Sequence, residues 1–379
     1  MTPDVVVAGA GVMGVFTALN LQEKGARVLL ADPWEPGHPR GTSSSESRVI
    51  RVLYGSDRLY SEWSQRALVA WQVWERELPR PVFLKTGVLW VTRSDDGYAA
   101  KGESVLRALG VPIERLSPEE VSKRYPGVGT SDVKFALLEP GSGALLSREA
   151  VRRLSELFVR RGGELRRGDV ALGAKDGSHL ASVEVGGERV ATDAAVFACG
   201  PWLPFLFPDL LATVIRVHKA EELFFGVAPG DRRFDSAHLP TWVDIGAHYG
   251  VPAVDGRSFK VGIDAPGPAF DPTSGERRID PANIPAVREF LSRRFPALAD
   301  APLVDSRVCQ YELTVDEHLV IDRHPELENV WLVGGGSGHA FKLGPEIGAY
   351  VAALVACERP ETEERFRIAG RRARPWREA

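Results

Sequence analysis

Three glycines and one aspartate near the start of the chain carry its clearest chemistry. In Val5 to Asp32, VVVAGAGVMGVFTALNLQEKGARVLLAD, Gly9 lets the chain turn tightly out of an apolar strand and Gly11 lets the backbone approach a pyrophosphate. Gly14 lets the following helix lie close to the sheet. The amides of that turn and helix start, Ala10 to Met13, face the phosphates, where the helix macrodipole favours negative charge. Asp32, twenty-three positions after Gly9 and at the end of the second strand, is placed to accept hydrogen bonds from both ribose hydroxyls. A carboxylate there argues against a 2′-phosphate. The spacing predicts a dinucleotide, NAD or FAD, and the motif's position at the N-terminus with no catalytic domain before it favours FAD.

The elements around this unit must bring other residues to it. A polar loop rich in Pro, Gly and Ser runs from Glu35 to Ser47, ends in SRVIR and is long enough to cross an active site. A helical stretch follows from Leu59 to Leu78. Short strands, a helix and a Pro/Gly-rich return from Pro81 to Leu138 read as a first insertion of a second domain. Ser147 to Arg161 has helical periodicity, and GGELRRGDVALGAK and ATDAAVFACGPW read as strands that complete the nucleotide sheet. Val217 to Gly262 reads as several strands, with a helix from Ile284 to Phe295, and is the second insertion. A strand VWLVGG then runs into a glycine-rich turn and a last helix beginning near Gly344 and Pro345. The expected fold class is α/β (α+β, two domains). A Rossmann-like FAD-binding domain takes residues 1–80, 144–215 and 305–379, and a discontinuous, mainly antiparallel-sheet substrate domain takes 81–143 and 216–304.

Composition excludes other classes. At 379 residues two domains are the natural expectation, and 44% apolar with 26% charged residues suits a globular protein in water. A net charge of −4 offers no field for nucleic acid. The arginine-rich tail after Arg365 is expected to be a solvated terminal segment. No apolar run approaches the ~20 residues of a membrane helix, and no signal peptide is expected before Val5, so a cytoplasmic protein without membrane contact is expected. Cys199, Cys309 and Cys357 are an odd number without metal-ligand spacing, so neither a disulfide framework nor a metal site is expected. Cys199 ends a strand-like VFAC, and Cys357 is expected to be a buried thiol in an apolar helix.

The chain resembles the monomeric sarcosine oxidase family, which includes N-methyltryptophan oxidase and pipecolate oxidase, among the D-amino-acid-oxidase-like flavoproteins. The likeness runs through GAGVMG, GTSSSESRVIRVLYG, LEPGSGALLS, FKVG, CQYELTVDEHLVIDRHPE and GGGSGHAFKLGP. It implies FAD as cofactor, and a small amino acid and O2 as partners. It implies oxidation of the C–N bond of a secondary or primary amino acid by hydride transfer to flavin N5, with peroxide as by-product and hydrolysis of the imine. A monomer is expected.

By the same resemblance, Cys309 holds the flavin 8α-methyl group through a thioether. Arg51 and Lys342 pair with the substrate carboxylate, and such charge-assisted bonds fix which C–H faces the flavin. Lys260 sits over the flavin ring and activates oxygen, Tyr311 lines the substrate pocket and Arg48 lies under the ring. Ser43 and Ser44 fall in the flavin-covering loop, Gly200 and Trp202 approach the isoalloxazine, and Val170 lies against the adenine. Gly336, Ser337, Gly338, His339 and Ala340 form a turn whose amides stabilise negative charge at flavin N1 and the C2 carbonyl, with Lys342 closing it.

Two departures bear on the substrate. Ser44 stands where the family often has histidine, and Asp264 replaces a histidine four residues past Lys260. Glu312, where several members have threonine, points the same way, although strand alternation turns it from the pocket. His318 and His324 read as structural hydrogen-bonding partners. A dehydrogenase using another acceptor, and a catalytically idle flavoprotein scaffold, are the alternative functions.

Overall fold

A computed structural model describes residues 2–95, 97–359 and 361–371. The first strand β1 (Val5–Ala8), the helix α1 (Val12–Glu23) and the second strand β2 (Val28–Asp32) form the expected unit. β1 and β2 pair in parallel. They lie inside a six-stranded sheet with Ala194–Phe197, Leu327–Gly334, Val320–His324 and Glu164–Arg167, parallel except for the Val320–His324 edge.

Alternation along β1 explains why the sheet is buried on both faces. Val5 and Val7 enter one core with α1 and the helices Ser147–Arg160 and Gly344–Val355, while Val6 and Ala8 enter another with Val170, Val183 and Leu203. The last helix approaches α1 closely because Gly344 and Gly348 face it: an added Cβ would lie 2.5 Å from Val12 Cγ2 at Gly344 and 2.5 Å from Phe16 carbons at Gly348.

The second sheet has eight strands and is antiparallel except where Thr241–Asp244 pairs with Val88–Thr92. Phe259 and Val261 pack with the helix Asn283–Arg294, so alternation turns Lys260 to the opposite face. Glu222, Lys260, Cys309 and Tyr311 share that face, by the register of Ile215–Gly226 with Ser258–Ile263 and Leu303–Thr314.

Several expectations need correction. The strand Leu303–Thr314 pairs with Ile215–Gly226 in the second sheet, so residues 305–314 do not go with the nucleotide sheet. Val170–Leu172 belongs to a separate three-stranded sheet, and only Glu164–Arg167 joins the six-stranded one. Cys357 is exposed just beyond the last helix, with φ at +56°. The residues after Arg365 are docked as far as Arg371, which is buried, donates to the Leu319 carbonyl at 2.9 Å and pairs with Asp316 at 3.2 Å. The remainder of that arginine-rich tail, 372–379, lies outside the described residues.

Candidate active site and dinucleotide cradle

A cavity of about 610 Å³ opens at the carboxyl ends of β1 and β2. Gly9 holds φ at +98°, and a Cβ there would lie 2.4 Å from the Ala198 carbonyl oxygen. A Cβ on Gly14 would lie 1.8 Å from the Gly9 carbonyl oxygen, so only glycine brings α1 this near the turn. Gly11 caps α1 without a side chain, and no acidic residue stands in the first turn. The helix start is thus open to an anion. The Val12 N–H donates to Ser43 Oγ at 3.1 Å, which ties the polar loop to the cradle.

Asp32 accepts the Ala10 amide at 2.8 Å and the Trp34 amide at 2.9 Å, and its remaining lone pairs face the cavity. Burial pushes its carboxyl up, against the downward pull of those two amides. Of the residues expected to touch a dinucleotide, Gly9, Ala10, Gly11, Val12, Met13, Asp32, Ser43, Ser44, Arg48, Val170, Gly200, Trp202, Gly336, Gly338 and Ala340 line the cavity, as does Tyr311. Gly14, Ser337, His339, Cys309 and Lys342 stand behind its wall. Elongation, glycine turns, open helix start and ribose-side carboxylate all suit a dinucleotide such as FAD.

Behind Arg48 lies a buried ionic cluster that sequence reasoning missed. Glu222 Oε1 accepts Arg48 Nη1 at 2.5 Å and Lys260 Nζ at 2.8 Å, while its Oε2 accepts Ser45 Oγ at 2.5 Å. Lys260 also donates to Ser45 Oγ at 3.1 Å and to the Ser47 carbonyl at 2.8 Å. Burial is the largest influence on both partners. The Lys260 amine is pulled down to about 8 by desolvation, opposed by Glu222. The two cations outweigh desolvation at Glu222 and hold its carboxyl at about 2. Cys309 Sγ lies 3.2 Å from Arg48 Nη2 and 3.8 Å from the Thr42 carbonyl, one side chain away from the cavity. The signal that could have found Glu222 was a glutamate in an otherwise apolar run, ELFF.

Arg51 and Lys342 are brought together on one ring. The Arg51 guanidinium lies 4.4 Å and the Lys342 amine 4.8 Å from the centre of Tyr54. Lys342 is buried, donates to the His339 carbonyl at 2.7 Å, and is held well below the usual lysine range by burial first and by Arg51 second. Arg51 bonds the Leu53 carbonyl and the Tyr98 hydroxyl. Two cations held over one ring can serve as a receptor for a carboxylate. Glu139, in the segment LEPGSGALLS, positions Arg51: it accepts the Val52 N–H at 2.8 Å, the Leu53 N–H at 3.3 Å and the Trp90 Nε1–H at 2.7 Å.

The histidine of the turn has a structural use. His339 Nδ1 meets the Tyr54 hydroxyl at 3.1 Å and Nε2 meets the Glu317 carbonyl at 2.9 Å, and burial pulls its ring down to about 3. Tyr311 and Tyr249 hydroxyls lie 3.4 Å apart, so Tyr249 joins the wall that Tyr311 was expected to form. Alternation turns Glu312 to the opposite face of its strand from Tyr311, and there it lines the dinucleotide cavity, with the Gly334–Gly336 turn folded beside it. The Asp264 residue is exposed, but the surroundings of its carboxyl raise it by desolvation first, against a downward pull from Arg51.

Known proteins share this plan. The model of a family described as FAD dependent oxidoreductase matches residues 4–354. The chain is 28% identical to monomeric sarcosine oxidase of Bacillus sp. (strain B-0618), across 94% of this chain and 93% of that protein. It is 27% identical to N-methyl-L-tryptophan oxidase of Yersinia pestis (strain Pestoides F), across 95% of this chain and 96% of that protein. The solved structure of L-proline dehydrogenase from P. horikoshii superposes with a TM-score of 0.84 at 20% identity, covering 94% of each chain, and shows the shared fold.

Proposed function

Because the chain belongs to the family of FAD-dependent oxidoreductases, we propose that it oxidises a small amino acid at its C–N bond, with a secondary amine bearing a carboxylate as the preferred substrate. The observation that carries this reading is the convergence of Arg51 and Lys342 on Tyr54, 4.4 and 4.8 Å from the ring centre, next to a dinucleotide cradle. FAD, when bound, supplies the hydride acceptor, and hydrolysis of the resulting imine releases the products.

The residues supply position and charge. Arg51 and Lys342 clamp the carboxylate and so fix the Cα–H relative to the cofactor. A carboxylate bound beside Lys342 favours its ammonium form, opposing the burial and the Arg51 charge that work against it. Tyr311 and Tyr249 close the pocket wall. No side-chain base is required if the amine enters neutral, and the histidine nearest the clamp, His339, is committed to Tyr54 and Glu317.

Lys260 and Arg48 supply positive charge where O2 is reduced to peroxide, and Glu222 holds Lys260 in place. Cys309 forms a covalent bond to the flavin, supported by its place beside Arg48, one side chain away from the cavity. The domain boundaries remain those stated above, with 305–314 reassigned; the protein acts as a cytoplasmic monomer.

Two assays test the reading. Under air, N-methyl and cyclic secondary amino acids are expected to yield peroxide in step with substrate loss, and substrate oxidation that needs an added dye would instead identify a dehydrogenase. In acid, yellow colour is expected to stay with the polypeptide and to be released from Cys309→Ala. Colour released from the unaltered protein would reject the linkage.

A further inference from the structure

Glu312 is a buried carboxyl that none of the steps above uses. It is 6% exposed, yet it lines the dinucleotide cavity. Its Oε2 accepts the Gly335 N–H at 3.1 Å. Its Oε1 is turned to the gap between Gly336 and Gly200, 3.3 Å and 3.8 Å from the points where their Cβ atoms would stand. The point at Gly336 is also 3.5 Å from Met13 Cε, and Glu312 lines the same cavity as Gly9 to Met13 at the start of α1. That turn is where the pyrophosphate of a dinucleotide belongs. A carboxylate in the same water-poor wall as a pyrophosphate is a like-charge pair that burial makes costly.

We propose that Glu312 is a cofactor-binding acid: FAD binds with this carboxyl protonated, its O–H donating to an oxygen of the dinucleotide, so loading the apoprotein takes up one proton from solvent. This rests on the FAD reading above. The group is already poised for it, since burial pushes Glu312 up to about 7 and its amide partners at Gly335 and Gly336 only partly oppose that.

Among the described residues no cation is paired with it: Arg48 lines the same cavity but is paired with Glu222. On its own strand the neighbours are Tyr311 and Leu313, with Gln310 and Thr314 on its face. Across the ladder it faces Val217, flanked by Arg216 and by His218, whose Nδ1 is turned to the Gly267 carbonyl. From the glycine turn, His339 faces Tyr54, and Lys342 bonds the His339 carbonyl. The Gly200 segment contributes only the Cys199 thiol, itself raised by burial. Asp32, Asp169 and His38 lie elsewhere on the cavity wall.

The test is FAD titration of apoprotein in the Cys309→Ala background, where binding is reversible, between pH 6 and 9. The dissociation constant is expected to rise about tenfold per pH unit above about 7, the limit for one proton, and Glu312→Gln is expected to remove that slope. Calorimetry at pH 8 in two buffers of different ionisation heat is expected to count about one proton taken up per FAD, and this readout needs no change at Glu312. A pH-independent constant, a slope that survives in Glu312→Gln, or no proton uptake overturns the assignment while leaving FAD binding intact. Failure to take up FAD at any pH overturns the cofactor reading and this assignment with it.

Discussion

At the scale of residues, the site is a set of charges that burial has made interdependent. The Lys342 amine is held well below the usual lysine range by burial first and by Arg51 second, and a substrate carboxylate would oppose both influences. Lys342→Met is expected to lower kcat/KM for carboxylate substrates about 10- to 150-fold, equivalent to the roughly 1.5–3 kcal/mol of one hydrogen bond to a charged group. The same variant should not lower Tm, because it removes a buried like charge. Lys260 makes the opposite case, with a carboxylate supporting it. Its ammonium form is lost as pH rises through about 8, so flavin reoxidation by O2 is expected to slow across that range. Glu222→Gln removes the attraction that raises Lys260 and leaves Arg48 facing it, so stopped-flow reoxidation should show the same limb displaced to lower pH. An unmoved profile would separate Lys260 from oxygen chemistry. Loss of this buried partner is also expected to destabilise the fold by about 3–5 kcal/mol, read in a denaturant melt.

At the scale of elements, glycines decide how near the backbones come. Gly14→Ala would set a methyl 1.8 Å from the Gly9 carbonyl oxygen, so α1 must move off the turn and lose its aim at the phosphates. The variant is expected to purify without flavin colour and with a lowered Tm. Gly25 provides the contrast: its φ is +86° but nothing lies within 4 Å of an added Cβ. Gly25→Ala should cost about 1 kcal/mol of backbone strain and stay yellow. These elements were legible in the sequence because their signals are local. β1, α1, β2 and the helices at Asn283–Arg294 and Gly344–Val355 follow from apolar runs, period and glycine position. The strand Leu303–Thr314 was placed with the wrong sheet, since its sequence says that it is extended but not which edge it joins. That choice is made by long-range pairing with Ile215–Gly226.

At the scale of the whole molecule, two sheets meet so that one supplies the dinucleotide cradle and the other the face carrying Lys260, Cys309 and Tyr311. The motif residues of the cradle could be named from spacing alone. The partners that tune them could not: Glu222 lies more than 170 positions from Arg48, and Glu139 lies 86 positions beyond the Leu53 amide that it holds. Alternation did turn Glu312 to the far side of its strand, but only the tertiary structure shows that the cavity reaches both sides. The docking of Arg371 is hidden from the sequence for a related reason, since the site that receives it is formed by Asp316 and the Leu319 carbonyl of a distant turn.

The central claim is that a carboxylate-clamped amine delivers hydride to a flavin held in this cavity. It is tested most directly by mixing the purified yellow protein, without oxygen, with an N-methyl amino acid and with the matching amine that lacks the carboxylate. The visible flavin band should bleach with the first and persist with the second, and Arg51→Met should abolish the difference. Equal bleaching by both amines, or a protein without flavin absorbance after expression with ample riboflavin, would contradict the account.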